Sequence, residues 1–178
     1  MLCDDFLGPV KQWGYLVRDL DDSMKTWVEQ MGIGPWWGFR NVPVTARFGN
    51  KETAIHLSVA MAYHQGTQIE LVQHMEPEKS PNSDFYLNSD NALMFKELGY
   101  MVDDVAANVR LCEERGMQEV GRVIPAPGAD CVYMSSPGMQ GMVIELMPSD
   151  QDTLDNYNKC LAEAAEWDGS KPYRLISL

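Results

Sequence analysis

Trp13-Gly14-Tyr15-Leu16-Val17-Arg18-Asp19-Leu20 returns in the second half of the chain as Leu98-Gly99-Tyr100-Met101-Val102-Asp103-Asp104-Val105. Each copy alternates as a half-buried strand does and ends on an Asp suited to start a helix. A second pair closes each copy. Gly66-Thr67-Gln68-Ile69-Glu70-Leu71 is answered by Gly141-Met142-Val143-Ile144-Glu145-Leu146, a glycine turn feeding a short apolar strand interrupted by one carboxylate. Matching starts and matching ends make the chain an internal repeat of one supersecondary unit.

Between these landmarks, Leu20, Met24, Trp27, Val28 and Met31 recur at helical spacing, and Gly32 supplies a stop. In the second half, Val105, Val109 and Cys112 mark the corresponding helix face and Gly116 its end. A strand from about 54 to 63 follows, with Ile55, Leu57, Val59, Met61 and Tyr63 on one face and His56, Ser58, Ala60 and Ala62 on the other. Each module therefore reads strand, helix, three strands. The modules span about 10–75 and 94–148, and the Pro-, Ser-, Asn- and Asp-rich stretch 76–93 is expected to link them. Residues 149–178 are read as a capped helix with Leu154, Tyr157, Leu161, Ala164 and Trp167 in one stripe, packing across the sheet or on a partner, followed by a polar tail.

A chain of 178 residues with 45% hydrophobic content can bury a substantial core. Its formal net charge of -12 argues against a nucleic-acid partner, because phosphate binding rests on Lys and Arg. The N-terminal stretch has neither a basic start nor an apolar core of signal-peptide type, and no apolar run is long enough to span a bilayer, so a cytoplasmic protein without a membrane partner is expected. Cys3, Cys112, Cys131 and Cys160 are scattered without metal-ligand spacing and read as reduced thiols. Most of the twelve Met residues read as core filling.

Strand parity sorts the polar residues. Trp13, Tyr15 and Val17 face the helix, leaving Gln12, Gly14 and Leu16 opposite; Ile69 and Leu71 leave Glu70; Leu98, Tyr100 and Val102 leave Glu97; Ile144 and Leu146 leave Glu145. Gln12, Glu70, Glu97 and Glu145 thus fall on equivalent faces, while Lys11 and Lys96 turn away as surface charges. Glu is rarely buried unless paired. A lone strand-end Glu would read as solvated, and it is the duplication that favours a site role for Glu70 and Glu145.

The paired starts WGYLVRDLDDS and LGYMVDDVAAN, the paired ends QIELVQ and VIELMP, and the Gly32 to Trp37 run make the chain resemble the glyoxalase, bleomycin-resistance and dioxygenase superfamily, also called vicinal oxygen chelate, over nearly all of residues 10–148. The resemblance implies an α+β fold in which two tandem βαβββ modules form a cupped mixed sheet, with a C-terminal helix added in this chain. It implies a divalent metal on inward side chains, for which the positions are Gln12, Glu70, Glu97 and Glu145. Where the family commonly has His, this chain offers Gln12 and Glu97. That disfavours iron oxygenase chemistry and suits Mg²⁺, Mn²⁺ or Ca²⁺ better than a His-rich zinc or nickel site would, with Zn²⁺ kept among the possible ions. A site with no metal stays open, because clustered carboxylates can also be neutralised by protonation, and a raised Glu serves proton transfer beside a carbonyl.

The function expected is glyoxalase-like proton transfer alpha to a carbonyl (isomerase, epimerase or lyase) on a small oxygen-rich substrate. Glu145, Glu70 and His56 are the catalytic candidates. His56 and Ser58 are expected to face the cup, and Trp36, Trp37, Ser58 and His74 to contact substrate, although core packing is the commoner fate of Trp and a structural role that of His. The alternatives are a metal-free small-molecule binding or resistance protein and, behind it, a ring-cleaving dioxygenase. Family resemblance and the apolar C-terminal stripe also imply a homodimer.

Overall fold

The computed structural model describes residues 5–48, 51–80, 82–124, 130–139 and 141–177; Cys3 lies outside them. The first module is β1 (Gln12–Val17), α1 (Leu20–Met31), β2 (Trp36–Phe48), β3 (Lys51–His64) and β4 (Thr67–His74). The second is β5 (Leu93–Val102), α3 (Val105–Glu114), β6 (Gln118–Ile124), β7 (Cys131–Ser135) and β8 (Val143–Pro148), with α2 (Ser83–Asn88) between the modules. The repeat is visible at the level of caps. The carboxylate of Asp19 accepts the Asp22 N–H at 2.9 Å, and that of Asp104 accepts the Ala107 N–H at 2.8 Å. Gly32, at φ 65°, ends α1 in the left-handed conformation that a side chain would disfavour.

Nine strands are present among the described residues, in the order β3-β4-β1-β5-β8-β7-β6-β2-β9, where β9 is Tyr173–Ser177. β1 and β5 pair antiparallel at the centre, and each pairs parallel with the last strand of its own module, β4 and β8. The long β2 pairs with β3 along its length and, at Thr45–Phe48, also with Gly121–Ile124 of β6. The mixed sheet is therefore curved until it closes on itself. Its outer face packs on α1 through Val17, Leu20, Met24, Ala60 and Leu71, and on α3 through Val102, Cys112, Met134 and Leu146. The inner face encloses a cavity.

Both ends of the inner face are covered. The segment expected as a linker folds into a 3-10 turn at Pro77–Lys79 and the short α2, whose buried Phe85 and Tyr86 pack on Leu16, Val72 and Met94. The Arg18 guanidinium holds this segment by donating to the carbonyls of Phe85, Tyr86, Ser89 and Asn91. At the other end α4 (Gln151–Ala165) packs Tyr157 and Cys160 on Tyr63, and the Tyr157 hydroxyl lies 3.0 Å from the carbonyls of Lys11 and Gly66. The polar tail expected after α4 is instead β9, parallel to Trp36–Arg40 of β2 with Leu175 packed on the core. An unpaired strand edge offers N–H and C=O groups that any nearby extended segment can satisfy, which composition alone does not reveal. No helix among the described residues is long and apolar enough to cross a membrane.

Candidate active site

Registry on the two central strands builds the site. Across β1 and β5, Gln12 stands opposite Gly99 and Gly14 opposite Glu97; Gly14 is beside Glu70 of β4, and Gly99 beside Glu145 of β8. The repeated glycine is thus a gap for the other module's polar residue. A Cβ on Gly14 would collide with Cγ and Oε1 of Glu97, and one on Gly99 would lie 2.7 Å from Cβ of Gln12. Into these gaps the four polar side chains converge. Gln12, Glu97 and Glu145 are buried, and Glu70 is half-buried. The Gln12 amide donates one bond to Glu70 Oε2 and one to Glu145 Oε2, each 3.0 Å.

Three carboxylates in so dry a place cannot all be charged. Burial, then the neighbouring Glu97, pushes Glu70 up to about 8, and the hydrogen bond between the two carboxyls raises Glu70 and lowers Glu97, as a proton shared between them does. Burial pushes Glu97 up to about 7. Glu145 is raised well above the usual carboxylate range by burial and by Glu97 and Glu70, while bonds from the Tyr133 hydroxyl and the Cys131 thiol act in the opposite direction. Groups poised this way can give and take protons near neutral pH.

The cluster floors a cavity of about 610 Å³ with largely aliphatic and aromatic walls, including Val44, Phe48, Leu57, Val59, Met61 and Val72. His74 lines the same cavity, four residues beyond Glu70 on β4. The other expected contacts lie elsewhere. His56 and Ser58 sit on the opposite face of β3. The main-chain N–H of His56 and its ring Nδ1 each lie 2.9 Å from the Glu76 carboxylate, and the Ser58 hydroxyl accepts the Asn41 N–H at an irregularity in β2. The bulky alternate residues of β3 line the cavity, while Ala60 and Ala62 leave room for α1 to pack closely. Trp36 is wholly buried against Trp27, with its indole N–H on the Ile33 carbonyl. Trp37 packs on Tyr63 and under the Arg174 guanidinium, outside the cavity lining.

Lys96, Tyr133 and Cys131 also line the cavity, where sequence alternation did not place them. Lys96, expected to point away, lines the cavity because β5 carries an irregularity there: Gly14 pairs with Glu97 and Tyr15 with Phe95, so Lys96 is the extra residue. Its ammonium donates to the Gly141 carbonyl, and burial lowers its pKa. Tyr133 and Cys131 face inward from β7, and Tyr133 stands beside Glu145 in the ladder. Alternation along Cys131-Val132-Tyr133-Met134 marks two faces, but nothing local says which one is inner.

Carboxylate oxygens of Glu70, Glu97 and Glu145 lie within 4.8 Å of one another. With metal–oxygen distances of roughly 2.0–2.6 Å, a hard divalent ion can reach all three. The oxygen donors and the need to neutralise buried charge fit Mg²⁺, Mn²⁺ or Ca²⁺ better than Zn²⁺. Gln12 turns its Nε2 toward the carboxylates, so its oxygen would coordinate only after the amide rotates.

A model of the Glyoxalase/Bleomycin resistance protein/Dioxygenase superfamily matches residues 11–134. No curated protein matches the sequence. Among solved structures, the chain is similar to a hypothetical protein from Bacillus halodurans (TM-score 0.60, 15% identity, covering 80% of this chain and 95% of that one). It is also similar to methylmalonyl-CoA epimerase from Mycobacterium tuberculosis (TM-score 0.57, 15% identity, 87% and 97% covered). A third is a methylmalonyl-CoA epimerase in complex with methylmalonyl-CoA and ammonium (TM-score 0.52, 11% identity, 80% and 94% covered). At these identities the likeness is one of fold.

Proposed function

The chain belongs to the glyoxalase, bleomycin resistance and dioxygenase superfamily, and on that premise we propose that it is an enzyme moving a proton alpha to a carbonyl. The observation that carries this reading is the meeting of three carboxyls in one buried cluster, all held above the usual carboxylate range, with the Gln12 amide bonded to both Glu70 and Glu145 and with bonds from Tyr133 and Cys131 offsetting part of the rise at Glu145. Glu145 takes the proton from the carbon beside the carbonyl, and the electron pair of the broken C–H bond moves onto the carbonyl oxygen. The Glu70 carboxyl gives that oxygen its proton. The enol oxygen then gives its proton back to Glu70 as the carbonyl re-forms, while the Glu145 carboxyl returns its proton to carbon: to a neighbouring carbon of a conjugated enol this gives an isomer, and to the other face, after the enol has turned over above the cluster, an epimer. Gln12, bonded to both carboxyls, fixes their separation, and the apolar walls keep water from competing. When a divalent cation is held by Glu70, Glu97 and Glu145, it would supply polarisation of the substrate oxygen.

The apolar lining also favours a second reading, a binding protein without turnover, and exchange separates the two. The protein is incubated in heavy water with ketones and acyl thioesters, with Mg²⁺ or Mn²⁺ and with chelator, and loss of the alpha-proton signal is followed by NMR. Exchange is expected, and Glu145→Gln, folded by circular dichroism, is expected to lose at least a hundredfold in rate. No deuterium entering any of these compounds under either condition sinks the enzyme reading.

A further inference from the structure

Outside the carboxylate cluster with Tyr133 and Cys131, the polar residues of the cavity lining are His74, Asn82 and Lys96, and His74 takes no part in the proposed proton transfer. Glu70 and His74 face the same side of β4 with Val72 between them; across the ladder Met61, Val59 and Leu57 stand opposite Glu70, Val72 and His74. At about 3.3 Å per residue, the two polar positions are roughly 13 Å apart along an apolar wall. His74 is 8% exposed and lines the cavity, and among the described residues its Nδ1 is the buried side-chain polar atom without a hydrogen-bond partner; enclosed as it is, that nitrogen meets a ligand in the cavity when the imidazole turns about its Cβ–Cγ bond. Its main-chain N–H is bonded to the Tyr86 hydroxyl and its ring tilts against the Tyr86 ring, so β4 and α2 fix its place at the cavity wall. Burial and the nearby Lys96 hold the imidazole at about 4, so it is neutral and able to accept a hydrogen bond from a hydroxyl.

Resting on the proton-transfer reading, we propose that the substrate is an uncharged, lipophilic carbonyl compound with a hydroxyl at its far end: the carbonyl lies over the carboxylates, the aliphatic body fills the cavity, and His74 receives the hydroxyl. A phosphate-rich carrier does not suit these walls. Lys96 is the one cation among the described lining residues, its ammonium is already bonded to a carbonyl, and three carboxylates stand nearby. Burying multiply charged phosphates there would leave them uncompensated.

The test is calorimetric binding of 10-hydroxydecan-2-one, decan-2-one and acetyl-CoA to the full chain. Both ketones are expected to bind, the hydroxyketone at least tenfold more tightly, and acetyl-CoA more weakly than either. His74→Leu is expected to erase the difference between the ketones, whereas His74→Gln, which keeps an acceptor, retains part of it. Val59→Trp, which fills the cavity at its middle, is expected to reduce binding of both ketones by tenfold or more, and the wild-type ketone measurements stand even where a variant fails to fold. Equal binding of the two ketones, absence of ketone binding, or tighter binding of acetyl-CoA overturns the proposal. Ketone binding of this pattern without deuterium exchange refutes the enzyme reading alone; exchange on a short polar carbonyl without ketone binding refutes the lipophilic substrate alone.

Discussion

Replacing Glu97 by Gln tests whether the carboxylate cluster is stabilised by protonation. In the folded protein burial raises this carboxyl to about 7 from an ordinary 4.5. Because the folded-state value is the higher one, the folded chain binds more protons than the unfolded chain between those values, and stability falls as pH rises through that window. At about 1.4 kcal/mol per pH unit, the interval corresponds to a loss on the order of 3 kcal/mol, complete above pH 7. Glu70, raised to about 8 partly by Glu97, extends the decline in the same direction. An amide at position 97 does not titrate, keeps hydrogen-bonding capacity toward Glu70, and removes the charge that raises Glu70. Urea unfolding in chelator at pH 5, 6, 7 and 8 is therefore expected to show the wild type losing about 2–3 kcal/mol more than Glu97→Gln across the series. Mg²⁺ or Mn²⁺ at pH 8 is expected to restore stability to the wild type more than to the variant. Parallel pH profiles for the two proteins would refute stabilisation of the cluster by protonation.

Gly14→Ala is expected to destabilise by about 1–3 kcal/mol in the same urea assay and to impair exchange, since the added methyl occupies the space of the Glu97 side chain. Trp36→Ala, at a wholly buried position in the core against α1, is expected to lose about 3–5 kcal/mol; a loss below about 1 kcal/mol would contradict that placement. Tyr133→Phe removes a hydroxyl that lowers the Glu145 pKa, so the acidic limb of the exchange rate is expected to move to higher pH, with wild-type stability retained within about 1 kcal/mol. An unchanged limb would show that Glu145 is not the base.

Most of the secondary structure and the identity of the carboxylate cluster could be read from the chain itself. Duplicated Gly-Tyr and Ile-Glu-Leu motifs, Asp caps and helical stripes are local patterns, and strand alternation put Gln12, Glu70, Glu97 and Glu145 on matching faces, where the structure brings them together. Less could be read of the cavity walls. Alternation on β3 separates two faces but does not say which is inner, and the bulky face was the one that lines the cavity, leaving His56 and Ser58 outside. One irregularity in β5 reversed the expectation for Lys96, because a single extra residue changes which side chains share a face.

Local chemistry, repeated twice, was thus enough to determine the strand-helix-three-strand unit and the four polar residues that meet at its centre. Tertiary structure alone decided that β2 reaches β6 and closes the sheet, that residues 173–177 become a strand on β2, that α2 and α4 cover the two ends, and that His74 is left buried beside an apolar wall. These features depend on pairings between residues far apart in the chain. A strand edge, a cavity and an unsatisfied nitrogen exist only once the partners that surround them have been placed, whereas a cap or a stripe is complete within a few turns of its own segment.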